Sequence, residues 1–209
     1  MLIRRTLPAI FFISFIFVTG CATKRVTLKT FVEPSVRPES IRSVAIFPMR
    51  NVRLLPDESR ELNRGVSQAF HQQSPNVRIV VPTESTALLN QAGLTEKYSD
   101  FLRDYAVSGI PNVTTLKEIG KALNVDAILQ GEVFDIYQID GEFGVTDGKT
   151  SVTVRYALLS TRDGTVLWEA TSNAKKTRGD FTLQSAPPLY EVISLAQNKI
   201  LTALPTLGK

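Results

Sequence analysis

An apolar run, residues 7–18 (LPAIFFISFIFV), ends three positions before Cys21, the only cysteine in the chain. Its 12 residues fall short of the ~20 that a bilayer-spanning helix needs, and they follow the positive pair Arg4-Arg5. That is the profile of an export leader, so the fold has to be built from the residues after it. One cysteine allows no intramolecular disulfide. The domain must therefore stand on a buried apolar core. A chain of 209 residues, 43% hydrophobic and 21% charged, has enough material for one such domain and is not of disordered composition. Of its 24 basic side chains, Arg4 and Arg5 lie in the leader, which leaves 22 against 20 acidic ones. The pI of 9.3 thus overstates the basic character, and nucleic-acid binding is not expected.

The tetrapeptide Val18-Thr19-Gly20-Cys21 resembles the bacterial lipobox. The resemblance implies cleavage between Gly20 and Cys21, a diacylglyceryl group on the Cys21 thiol and acylation of the new amino group. Three acyl chains hold far more firmly than one. The other reading of the run is an uncleaved anchor helix. The residue after the cysteine is Ala22; in lipoproteins of this kind the lack of aspartate there points to the outer membrane, facing the periplasm. The expected division is a signal peptide over 1–20, a lipidated tether over 21–40 and an α/β domain over 41–209. Pro34 and Pro38 punctuate the tether, and residues 26–31 suit a short edge strand.

From Ile41 onward apolar periodicity predicts regular elements. SVAIFPM (43–49) and VRIVV (77–81) read as buried strands. Between them, Pro56-Asp57-Glu58-Ser59 opens a helix whose inner face is Leu62, Val66, Ala69 and Phe70. Thr83 and Thr95 are expected as caps of two further helices ending at Gly93 and Gly109. Thr115 and Glu118 fit a capping box ahead of the stripe Leu116, Ile119 and Leu123, with Asn124 in the left-handed region beyond it. Residues 126–138 predict a long strand in which Gly131 marks a bulge or a close approach. A hairpin turns at Arg162-Asp163-Gly164, and a last amphipathic helix runs between Pro187-Pro188 and Pro205. The expected fold is α/β: a mixed sheet of about five strands with helices packed on it.

Three stretches carry a further resemblance: VAIFP (44–48), LKEIGKALNVDAILQGEV (116–133) and DGTVLWE (163–169). In this order, behind a lipobox, they resemble the periplasmic α/β domain of CsgG, LpoB and the amino-terminal domain of TolB. This implies a membrane-anchored, non-enzymatic protein-binding module of the cell envelope: an assembly factor, activator or accessory subunit with an envelope protein as partner. The alternative it implies is a homo-oligomeric component of a CsgG-like secretion apparatus. CsgG's pore hairpins need membrane strands of about 9–11 residues, and the connections at 51–58 and 140–149 are too short for them.

Residues suited to chemistry are few. His71, the only histidine, has no nucleophile or orienting carboxylate beside it in sequence and reads as a surface side chain. Asp126, Glu132, Asp135 and Asp140 could be paired carboxylates, yet strand alternation puts Glu132 and Asp135 on opposite faces. No phosphate-loop, dinucleotide, nucleophile-elbow or zinc-protease motif occurs. No catalytic residue, cofactor or metal is expected. Lys175-Lys176-Thr177-Arg178 is the densest basic cluster; it suits anionic headgroups or an acidic partner, or else protects a sheet edge. Trp168 reads as a packing residue or an interface anchor.

Overall fold

The computed structural model describes residues 23–35, 37–50, 54–142, 146–178 and 185–208. Gly20 and Cys21 lie outside them. Twelve elements follow in order: β1 (Lys24–Val32), a 3₁₀ turn (Pro38–Ser40), β2 (Ser43–Ile46), α1 (Pro56–Gln73), β3 (Arg78–Val80), α2 (Pro82–Gln91), α3 (Thr95–Ser108), α4 (Val113–Leu123), β4 (Ala127–Ile139), β5 (Lys149–Ser160), β6 (Val166–Thr177) and α5 (Leu189–Leu201).

The strands form one sheet in the order β1-β6-β5-β4-β2-β3. β2 is parallel to both β3 and β4, and the remaining pairs are antiparallel. Side chains alternate across this sheet and feed two cores. On one face Val44, Leu129, Val154 and Trp168 pack with Phe70 of α1 and Ile193 of α5. On the other, Ala45, Phe47, Ile128 and Leu159 pack with α2, α3 and α4. The α/β fold with a mixed sheet is as expected, with six strands where about five were expected.

The sixth strand is β1. It pairs with β6 over its whole length, from Lys24 opposite Lys176 to Val32 opposite Trp168. Val26 and Leu28 pack partly buried against the first core. The segment expected as a tether with a short edge strand therefore supplies nine residues to the sheet. The edge strand read over 26–31 is present and longer, by Lys24 and Arg25 before it and Val32 after it, because the β6 edge offers a ladder beyond the apolar alternation Val26-Leu28.

Local chemistry explains the element ends. Pro56 occupies the first turn of α1, and Glu58 reaches back to accept from the Leu55 amide at 2.9 Å. Gly93, Gly109 and Asn124 take the left-handed conformation after α2, α3 and α4. The expected caps Thr83 and Thr95 are inside their helices instead; Val81 and Leu94 stand at the caps without side-chain bonds. The box at Thr115 is also displaced: α4 is capped three residues earlier, where the Asn112 side chain accepts from the Thr115 amide at 3.1 Å. Gly131 is not a bulge. A Cβ there would lie 2.5 Å from the Tyr156 ring, so the glycine makes room for a buried aromatic. The bulge comes at Asp135, whose φ is 53°, between the pairs Phe134–Thr153 and Tyr137–Ser151.

Candidate functional site

Two features of the surface follow from the topology. The first is a pair of clefts flanking Pro48, just past the end of β2. There β2 leads into α1 on one face while its parallel neighbour β3 leads into α2 on the other, the switch point at which open α/β sheets leave a crevice. One cleft, about 480 Å³, lies between the end of β2, α3 and the middle of β4. The other, about 550 Å³, lies between α1 and the start of α2.

The first cleft is floored by aromatic packing. The Phe47 and Tyr98 rings are 4.3 Å apart, and Tyr98, Phe101 and Tyr105 stack in sequence along α3. The Tyr98 hydroxyl meets Gln130 Oε1, and Gln130 Nε2 donates to the carbonyls of Pro48 and Gly131 at 3.2 and 2.6 Å. Burial raises the Tyr98 pKa well above its ordinary value, with Arg50 opposing. Glu132 is held by Arg155 at 2.9 Å and faces Arg50 at 3.6 Å. The Arg155 guanidinium also lies over the Tyr105 and Phe134 rings, 5.5 and 6.0 Å from their centroids. The described lining has one carboxylate, Glu132, and no histidine, cysteine or lysine. The phenol, the carboxamide and the carboxylate are each engaged with protein neighbours and hold the shape of the cleft.

The second feature is a sheet face left uncovered among the described residues. No β1 residue joins the second core, and from β6 only Val166 packs against it. Arg25, Thr27, Lys29 and Phe31 of β1 point to this open side and are exposed. Tyr137 and Ile139 at the end of β4 are half exposed there, and Lys149 Nζ is 5.1 Å from the Tyr137 ring. β1 is also a sheet edge, with no strand on its outer side among the described residues.

The remaining sequence candidates are dispersed. His71 is exposed near the end of α1. Asp126 accepts from the Arg42 amide and the Ser43 hydroxyl at 2.9 and 2.8 Å. Asp135 is exposed at the bulge, and the inserted residue breaks the alternation used to place it opposite Glu132. Asp140 accepts from the Ala186 amide at 2.7 Å. These contacts tie backbone segments together and bring no two of the four carboxylates into one site. Among the described residues no three His, Cys, Asp or Glu side chains gather as a metal-holding group. Trp168 is 1% exposed, which rules out the anchor reading and leaves packing. The basic cluster splits between faces: Lys176 pairs with Glu191 of α5, while Lys175 is on the open side.

No protein-family model matches the chain, and a search of curated proteins finds no match. Among solved structures it is similar to PelC from Paraburkholderia phytofirmans, determined as a dodecamer: 16% identity and a TM-score of 0.49, covering 87% of this chain and 99% of that one. It is also similar to lipoprotein GNA1162 from Neisseria meningitidis, at 16% identity and a TM-score of 0.39 over 77% of this chain and 98% of that one. The LpoB C-terminal domain from Salmonella enterica follows at 12% identity and a TM-score of 0.36, over 63% and 81%. Likeness at this level says nothing of partners or activity.

Proposed function

We propose that the chain is a lipid-anchored envelope protein, attached through Cys21 and acting by binding another protein, with no active site of its own. The observation that supports binding is the free edge of β1 beside the uncovered sheet face. A nine-residue edge presents a row of backbone donors and acceptors that a partner's strand can extend. Lys24, Arg25 and Lys29 guard its first six residues. Its far end carries Phe31 and Val32, 48% and 56% exposed, an apolar centre for a contact with a polar rim. Anchoring rests on Val18-Thr19-Gly20-Cys21 behind the apolar run, and the outer membrane on Ala22.

A photo-crosslinking residue at Phe31, introduced into the full chain in its native envelope, tests the binding reading. Mass spectrometry should find an adduct with a different envelope protein, and Val32→Glu should abolish it. An adduct made only with further copies of the chain would instead support a homo-oligomeric ring. Absence of any adduct from positions 27, 29 and 31 alike would overturn both. Anchoring has its own test: Cys21→Ser should abolish acyl labelling and leave unprocessed precursor, and mature labelled protein from that variant would refute it.

A further inference from the structure

We propose that the end of the open sheet face carrying Arg25, Lys149 and Lys175 lies against the anionic lipid headgroups of the membrane that holds Cys21. The inference rests on the anchoring reading above and adds a surface and a ligand to it.

Three strands bring these cations together. Arg25 of β1 is opposite Lys175 of β6, and Lys175 is opposite Ser151, two residues along β5 from Lys149. All three side chains are on the face that none of the described helices covers. None of them forms an ion pair among the described residues, whereas Lys176, on the other face, is neutralised by Glu191. Lys149 beside it, and Arg25 further off, hold the Lys175 ammonium below its ordinary pKa. An uncompensated cluster of this kind gains from an anion that approaches it. Next to it stand Tyr137 and Ile139, about half exposed. Cations interleaved with an aromatic and an aliphatic side chain are the composition of a surface that rests in a headgroup layer.

Chain length selects the membrane over an acidic protein as the occupant. Arg25 is four residues from Cys21, so their Cα atoms are at most about 14 Å apart whatever path the chain takes. Once Cys21 is acylated, this end of the sheet cannot leave the bilayer surface, and a Debye length of about 8 Å at physiological salt lets the cluster feel the headgroup charge. Phe31 and Val32 are at the far end of the same strand, about 20–25 Å away at ~3.3 Å per residue, clear of the membrane for a partner.

The mature full-length protein is reconstituted into vesicles of phosphatidylcholine, with or without phosphatidylglycerol, and exposed to a water-soluble amine-acetylating reagent. Its intact mass is read first; lack of the acyl groups would refute the anchoring reading together with this one. With acylated protein, Lys149 and Lys175 should react several-fold more slowly in the phosphatidylglycerol vesicles, while Lys117 on α4 reacts equally in both. The difference should vanish at high salt, and Lys149→Gln should weaken the protection of Lys175. Equal rates in both vesicles would overturn the proposal and leave anchoring intact. Protection that needs an added envelope extract would overturn it in favour of an acidic protein.

Discussion

Single atoms decide several positions. Gly131 carries no side chain because the Tyr156 ring occupies the space a Cβ would take, 2.5 Å away. That ring cannot yield: Tyr156 is 2% exposed, and its hydroxyl donates to Gln197 Oε1 at 2.9 Å, with Gln197 donating in turn to the Leu62 carbonyl. Gly131→Ala should therefore cost about 1–3 kcal/mol, the usual range for overpacking, measured by urea denaturation. Tyr156→Phe should cost a comparable ~1–3 kcal/mol by leaving the Gln197 carbonyl oxygen buried without a donor. Sequence marked Gly131 as a bulge or a close approach without deciding between them, since the ring that packs against it is 25 positions away. Trp168 was equally ambiguous from its neighbours; burial under α5 settles it, and its indole nitrogen has no partner among the described atoms.

At the scale of elements, α4 was the most legible. Leu116, Ile119 and Leu123 are buried as its stripe requires, at 0%, 0% and 2% exposure. Leu123→Ala should cost about 2–5 kcal/mol in thermal or urea melts. Its start was misread because Thr115 and Glu118 have the spelling of a capping box, while Asn112 sits where the loop backbone is already extended and takes the role. Glu118 instead pairs with Lys97 of α3 at 2.6 Å. Asn112→Ala should thus lower stability by about 1 kcal/mol. Glu118→Ala, which breaks a surface pair, should change it by less. A larger loss from Glu118→Ala than from Asn112→Ala would restore the capping box.

For the whole molecule, the strand β1 matters most. It closes the sheet against β6 and brings Val26 and Leu28 onto the core under α5. A chain starting at Ile41 would uncover the β6 edge, and should lose roughly 2–4 kcal/mol relative to one starting at Ala22 and aggregate more readily. Equal melting of the two would mean that β1 is a passenger. A second global property follows from the buried phenols. Burial raises the pKa of Tyr98, Tyr105 and Tyr156; at Tyr105 the Glu169 charge adds to it. A raised folded-state pKa means the neutral form is favoured by folding, so this stability is complete below the unfolded value of about 10 and is lost as pH rises above it. In an alkaline titration, part of the tyrosinate absorbance should therefore appear only together with loss of circular dichroism.

Sequence alone determined the α/β class, the helix-ending glycines and Asn124, the buried stripes and the hairpin at Gly164, because each depends on periodicity or on the conformational freedom of one residue. It also pointed to Cys21, whose chemistry rests on a local motif. Tertiary structure alone decided what depends on pairing between distant segments. β1, legible as a short edge strand over 26–31, found its partner and its full nine residues only through its ladder with β6, about 140 residues later. The bulge at Asp135 changed which side chains share a face. The coverage of one sheet face by α2, α3 and α4, and its absence over β1 and most of β6, gathered Arg25, Lys149 and Lys175 into one cluster. No spacing along the chain encodes that cluster, since the three residues meet only when three strands register side by side.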